Sequence, residues 1–354
     1  MKDRLQRSVE VILEHQGATG AYPASPSFET YKYCWFRDGS FVAYAMDLVG
    51  EHQSAARFHG WAAGVIDRRR ELVLRAVRKS KSREPLGPTD YLHTRYALNG
   101  REGSDTDWPN FQLDGFGTWL WALKQHQQRT GRPLPADWLE AATVVAQYLQ
   151  AFWSHPCYDC WEEFPNQVHT YTLAAIYGGL EAYASLSGAN LHPLTDEIRR
   201  FLLANAVQDG RLVKFPGSSE TDASLVALVV PYAVLPWEEP CVAQTVREIE
   251  SSLRSEGGGV HRYRGDTYYG GGEWVLLTAW LGWYYAQVGE QEKAREALAW
   301  VEAQADALGN LPEQVPATLN APAHYGAWTR RWGEIARPLL WSHAKHIILS
   351  HHLK

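Results

Sequence analysis

Apolar residues recur every three to four positions through most of this chain, and that periodicity restricts its fold more than any other feature. Within 137–154, for example, Trp138, Ala142, Val145, Leu149 and Phe152 form one helical stripe. Strand-like alternation is scarce. Twelve helical runs lie near 4–15, 38–49, 52–82, 112–130, 137–154, 168–187, 193–207, 222–235, 240–254, 272–288, 290–308 and 334–351. Gly131, Gly188 and Gly289 each follow a run, as C-cap glycines do. Asp38 and Asp222 stand where N-caps would. The runs come in pairs with short links, and six longer, aromatic, Gly/Pro-rich loops separate the pairs: 16–37, 83–111, 155–167, 209–221, 255–271 and 309–333. Six helical hairpins predict an all-α (α/α)6 barrel, a double ring of twelve helices, with the loops gathered at one rim around a pocket. An irregular helical bundle is the alternative on helix count alone. There is no linker, so 1–354 reads as a single domain.

Several function classes fall away on composition. The formal net charge is −6 with both signs spread along the chain, which gives no stripe for nucleic acid and no basic membrane face. The longest basic cluster, Arg68-Arg69-Arg70 with Arg75, Arg78, Lys79 and Lys81, has helical spacing and reads as a solvated helix face. Cys157-x-x-Cys160 has zinc or redox spacing, but no second Cys or His pair completes a site, so these two, Cys34 and Cys241 read as reduced and packed. No metal and no cofactor are expected. No segment reaches the roughly 18 apolar residues of a membrane span, and Met1-Lys2-Asp3-Arg4-Leu5 opens no leader, so a cytoplasmic location is expected. The oligomeric state is not legible. Sixteen Trp against ten Phe suits a cleft for pyranose rings, whose C–H faces are apolar and whose edges are hydroxyls, although a helical core can also use Trp as filler.

The loops carry the chemistry. Tyr158-Asp159-Cys160-Trp161-Glu162-Glu163-Phe164 places two carboxylates among aromatics, and desolvation there disfavours the charged form. A carboxyl that stays protonated near neutral pH is a general acid. A further carboxylate lies in Leu311-Pro312-Glu313-Gln314. Glycoside hydrolysis needs two carboxyls, one acid and one base or nucleophile; the candidates are Glu162 or Glu163, and Glu313. Arg37-Asp38 combines donors with acceptors and could grip vicinal hydroxyls. Gly270-Gly271-Gly272 is no phosphate loop, having neither a Walker lysine nor a preceding strand, and reads as backbone that approaches a ligand closely.

Taken together these clusters resemble the glucoamylase family, glycoside hydrolase family fifteen, in the same order over nearly the whole chain. The similar segments are Tyr33-Cys34-Trp35-Phe36-Arg37-Asp38; Trp108 through Gln112-Leu113-Asp114-Gly115; Trp161-Glu162-Glu163; Arg262 through Tyr268-Tyr269 to Trp274; and Glu313-Gln314 followed by Pro338-Leu339-Leu340-Trp341-Ser342-His343. The resemblance implies an (α/α)6 barrel and an inverting, exo-acting enzyme that releases β-glucose from an α-glucoside. It implies Glu162 as general acid, Glu313 as general base, and Glu163 at the second sugar, with the exchange of Glu162 and Glu163 left open. Arg37 and Asp38 would hold the terminal glucose, Arg262 would bind across the cleavage point, and Tyr31, Trp35, Trp108, Trp161, Tyr268 and Trp274 would line the pocket. Inversion requires the two carboxyls to stand about 6.5–9.5 Å apart. An aromatic wall would raise the acid's pKa while a wetter site keeps Glu313 ionised.

Two departures bear on substrate. Where many family members have a Gly soon after Trp-Glu-Glu, this chain reads Phe164-Pro165-Asn166-Gln167, and the family's N-terminal β-sandwich and starch-binding modules are not found in it. The first borders the site of the second sugar and leaves its preference open; the second favours small α-gluco-oligosaccharides, and the expected lack of a leader adds a lean to α-1,6-linked, isomaltose-type sugars over an α-1,4-glucan or trehalose. The competing readings are a phosphorolytic relative, which would replace the base by a phosphate site, a non-catalytic sugar-binding relative, which would lose the carboxyls, and prenyl transfer, which would want Asp-rich metal motifs.

Overall fold

The computed structural model describes residues 4–103 and 108–354. Residues 1–3, on which the leader reading partly rests, and 104–107 of the second predicted loop lie outside the described residues. The chain opens with α1 (Arg4–His15), α2 (Phe36–Leu48), α3 (His52–Asp67) and α4 (Arg70–Ser82). It continues with α5 (Asp114–Thr130), α6 (Ala136–Phe152), α7 (Thr170–Ser187) and α8 (His192–Asn205). After a 3-10 segment, Ala223–Leu228, come α9 (Pro240–Glu248), α10 (Val275–Gln287), α11 (Gln291–Ala303), α12 (Pro322–Trp332) and α13 (Leu340–His352).

Burial separates the helices into two rings. Every residue of α2 is buried, as is nearly all of α10 and α13 and most of α5 and α7. Helices apolar all round belong inside. These five and the 3-10 segment close a ring: α2 packs on α5, α5 on α7, α7 on Ala223–Leu228, that segment on α10, α10 on α13, and α13 back on α2. Outside it lie α1, α3 with α4, α6, α8, α9 and α11. Each outer helix buries one face only; α11, for instance, buries Ala294, Ala297 and Val301. This is the expected (α/α)6 barrel.

Local departures have local causes. The run 52–82 divides at Arg68–Arg69, where Arg69 folds back, donates to the Val65 carbonyl at 3.1 Å and lays its guanidinium 4.6 Å from the Tyr96 ring centre. Arg68, Arg75, Arg78 and Lys81 of that basic cluster are exposed, as a solvated face should be. The run 222–235 is helical only over Ala223–Leu228, because Pro231 lacks an N–H and restricts the residue before it. Asp222 caps that segment, accepting from Ser224 N–H at 2.8 Å. Asp38 does not cap α2: Trp35 is the N-cap, and Asp38 sits within the first turn. The run 334–351 starts later, at Leu340, since Pro338 excludes helix around it. Helix α12 lies inside the last predicted loop and has no buried residue, so it left no apolar stripe to read. All four cysteines are free and buried. No helix among the described residues is long and apolar enough to cross a membrane.

Three two-residue ribbons organise the loops: β1 (Cys34–Trp35) with β2 (Arg95–Tyr96), β3 (Val207–Gln208) with β4 (Arg211–Leu212), and β5 (Glu273–Trp274) with β6 (Gln314–Val315), all antiparallel. The first ties loop one to loop two. The third ties the end of loop five to loop six.

Candidate active site

At the N-terminal ends of the inner helices a cavity of about 440 Å³ opens between the loops. All twelve residues singled out from the sequence line it: Glu162, Glu313, Glu163, Tyr31, Trp35, Arg37, Asp38, Trp108, Trp161, Arg262, Tyr268 and Trp274. Five of the six loops reach it. The fourth contributes support instead, through Lys214. Trp328, Arg331 and Trp332 of α12 and Trp341 of α13 also line it and were not singled out as site residues.

Glu162 is placed by strained backbone. Its φ is +67° and that of Phe164 is +50°, both in the left-handed region that only Gly enters without cost, typically about 1–3 kcal/mol otherwise. The turn is held by Asp159, whose Oδ1 accepts from the N–H groups of Trp161 (3.0 Å) and Glu163 (2.8 Å). Trp35 Nε1–H and Gln112 donate to Glu162 Oε1 at 2.7 and 3.2 Å. Burial pushes the Glu162 carboxyl above its ordinary pKa, against the opposing pull of Arg37 and the indole donors.

Glu163, one residue on, lives in a different field. Tyr263 O–H donates to its Oε2 at 2.6 Å and Arg262 to its Oε1 at 3.3 Å, with Lys214 Nζ 3.5 Å away. Burial raises its pKa, but Arg262, Lys214 and the Tyr263 bond together bring it below the ordinary carboxylate value. Arg262 is fixed in turn by Asp266, which accepts from Nε at 2.7 Å and from Nη2, and it faces the rings of Trp161 and Trp274.

Lys214 is a buried cation among three carboxylates, 3.2 Å from Asp159, 3.4 Å from Asp222 and 3.5 Å from Glu163, with the Tyr263 ring centre 3.5 Å away. Removing one partner of a buried ionic cluster leaves the others uncompensated, at a cost of about 3–5 kcal/mol. Lys214→Met is therefore expected to lower unfolding free energy by about that amount, read from urea unfolding. Unchanged stability would show that Lys214 does not hold the cluster together.

Glu313 overturns one expectation. It does not sit in the wetter site: it is only 4 % exposed, whereas Glu162 is half-buried, and its Oε2 has no hydrogen-bond partner. Burial pushes it up to about 8, offset in part by Tyr31 and Arg262, while Asp38 adds to the rise. Its loop is tied down on both sides. Val275 N–H donates to the Glu313 carbonyl at 3.2 Å, Ser342 Oγ–H to that of Pro312 at 2.8 Å, and Leu311 N–H to His343 Nε2 at 3.0 Å. The glycines of loop five serve this loop, not a ligand, which corrects the sequence reading. A Cβ on Gly272 would stand 2.6 Å from the Val315 carbonyl oxygen and 2.7 Å from Gln314 Oε1; its N–H donates to that same Oε1 at 2.9 Å.

Across the pocket, Arg37 Nη1 donates to Gln112 and Asp114, both at 3.1 Å. Arg37 Nε and Asp38 Oδ2, 3.3 Å apart, are buried without hydrogen-bond partners of their own. Burial raises the Asp38 pKa to about 6. Tyr31 and Tyr268 hydroxyls meet at 2.8 Å. The pocket thus offers two separately supported carboxyls, an Arg–Asp pair with spare bonding capacity, and indole and phenol walls. Such a set can meet the hydroxyl edges of a sugar with charged and polar groups and its C–H faces with aromatic rings.

Comparison with known proteins places the chain in a family. The chain is 43 % identical over 356 residues to the isomaltose glucohydrolase of Kribbella flavida, covering 98 % of this chain and 92 % of that protein. A solved glycosidase, a glutamate-to-alanine variant in complex with glucose, superposes with a TM-score of 0.94 at 43 % identity, over 99 % of this chain and 96 % of that one. A bacterial glucoamylase complexed with acarbose shares the fold alone, with a TM-score of 0.77 at 18 % identity over 99 % of this chain and 55 % of that one. The profile described as Glycosyl hydrolases family 15 matches residues 1–326, a span that contains all twelve residues singled out from the sequence, and the chain belongs to that family.

Proposed function

We propose that this protein is an inverting exo-α-glucosidase that releases β-glucose from the non-reducing end of small α-gluco-oligosaccharides, isomaltose-type α-1,6 sugars foremost, and that 1–354 acts as one catalytic domain. The observation that carries the reading is the pairing, in one cavity, of Glu162 and Glu313 from separate loops, with Arg37 and Asp38 between the walls. The lean to isomaltose rests on the relative's activity and on the near-complete overlap with it.

In this reading Glu313 takes a proton from water, the water oxygen bonds to the anomeric carbon, the glycosidic C–O bond breaks, and Glu162 gives its proton to the departing oxygen. The sum is one water added across the bond. Oε1 of Glu162 is engaged by two donors, which leaves Oε2 to carry the proton. Glu163 is held ionised by Arg262, Lys214 and Tyr263 and serves as a hydroxyl acceptor for the second sugar, not as the acid. The Glu313 carboxylate lines the cavity and is the acceptor for water, and a hydrogen bond donated to it favours its charged form.

A proton NMR time course on isomaltose, maltose, nigerose, kojibiose and trehalose in separate tubes tests this. Isomaltose is expected to disappear fastest, with β-glucose the first anomer seen. Early α-glucose would mean retention and would remove the acid–base scheme. Fastest turnover of maltose or trehalose would reassign the linkage on the same scaffold.

A further inference from the structure

We propose that Asp47, His59 and His126 form a second site, remote from the pocket, that binds one transition-metal dication of the zinc class and staples three helices. Asp47 lies near the end of α2, His59 in the middle of α3, and His126 near the end of α5. At 1.5 Å per residue, Asp47 stands about 15 Å along α2 from Arg37 of the pocket. The site is therefore at the far end of the barrel and takes no part in the chemistry above.

Three observations carry it. One potential ligand atom from each residue falls in a group no more than 4.8 Å across, and all three residues are buried. Three atoms so spaced leave a point within about 2.8 Å of each, so sub-ångström movements bring them to the 2.0–2.2 Å of zinc bonds. Asp47 is already oriented: its oxygens lie 2.9 and 3.0 Å from His126 Nδ1, and Oδ1 lies 2.8 Å from His52 Nδ1. His59 is the anomaly. It is 0 % exposed, and neither ring nitrogen has a hydrogen-bond partner, although a neutral imidazole carries one donor and one acceptor. Its ring centre lies 5.1 Å from that of His126, with the Trp138 ring packed against both. Buried polar groups are nearly always satisfied; a cation between His59, His126 and Asp47 would take up one nitrogen of His59.

Donor chemistry sets the class. Two imidazoles and one carboxylate suit Zn²⁺, Co²⁺ or Ni²⁺, whereas Mg²⁺ and Ca²⁺ prefer oxygen-only shells. His52, whose side chain is 41 % exposed, sits on Asp47 and marks the way in from solvent. It also steadies the carboxylate, as outer partners of metal ligands do.

The test uses the full chain, stripped with a chelator and titrated calorimetrically with Zn²⁺ while the unfolding temperature is followed. One Zn²⁺ per chain is expected, with an unfolding temperature that climbs with Zn²⁺ and falls back with chelator, and with isomaltose turnover unchanged. His59→Leu is expected to weaken binding by more than the roughly 100-fold typical of losing an outer partner, and to abolish the thermal response. A variant lacking the half-buried pair at the end of α13, His351→Ala with His352→Ala, keeps both. No stoichiometric binding by the unmodified chain, or equal binding by His59→Leu, overturns the proposal and leaves His59 to a buried water. Should His59→Leu fail to fold, Co²⁺ added to the unmodified chain decides. A visible spectrum of low-coordinate nitrogen–oxygen ligation supports the site, and the spectrum of the hydrated ion overturns it.

Discussion

Glu313→Gln is expected to lower kcat on isomaltose by about 10²–10⁴-fold, the usual range for loss of a general acid or base, with glucose binding retained. The carboxamide keeps the shape of the side chain and cannot take a proton from water. The same residue sets the acid side of the pH profile. The working form of a base is ionised, so activity is present above its pKa and is lost as pH falls through it. Burial holds Glu313 up to about 8. The acid limb of kcat/KM is therefore expected well above the ordinary glutamate value of about 4.3, and the residual activity of Glu313→Gln should lack that limb. Initial rates between about pH 4 and 9 measure both. An unmodified enzyme whose acid limb sits in the ordinary carboxylate range, or a variant that keeps the limb, would transfer the base role to another group.

The second large effect separates the neighbouring carboxyls. Glu162→Gln is expected to cost about 10²–10⁴-fold on isomaltose, whose leaving oxygen needs a proton, and far less on α-glucosyl fluoride, whose leaving group does not. Glu163→Gln is expected to raise KM with a smaller change in kcat, because that carboxylate is bonded to Arg262 and Tyr263 and sits beside Lys214. If the fluoride rescues Glu163→Gln and not Glu162→Gln, the two roles exchange.

The double ring was readable because its inner helices are apolar on every side and its outer ones on one, a contrast that survives in the linear order of residues. What escaped has the opposite character. Helix α12 buries nothing, so no periodicity betrays it, although it brings Trp328, Arg331 and Trp332 to the pocket. The pocket itself was legible because aromatic and charged residues were clustered on loops, where packing alone gives them little reason to be. Lys214 was not, since a lone lysine gives no sign that two carboxylates of the third loop and the capping Asp222 converge on it. Nor could the residues show how dry the surroundings of Glu313 are, for its 4 % exposure arises only once the loops close around the cavity. Asp47 and His126 stand 79 residues apart, beyond any motif.

The inner ring has an unequal history along the chain. Helix α13 closes it between α10 and α2, and the same helix anchors the Glu313 loop through Ser342 and His343. During synthesis the first five members of the ring are made while it still gapes, its apolar walls open to water and to other chains. The segment that seals the wall is also the one that sets the Glu313 loop in place. Closure of the inner wall and placement of the Glu313 loop thus depend on one and the same late-made helix.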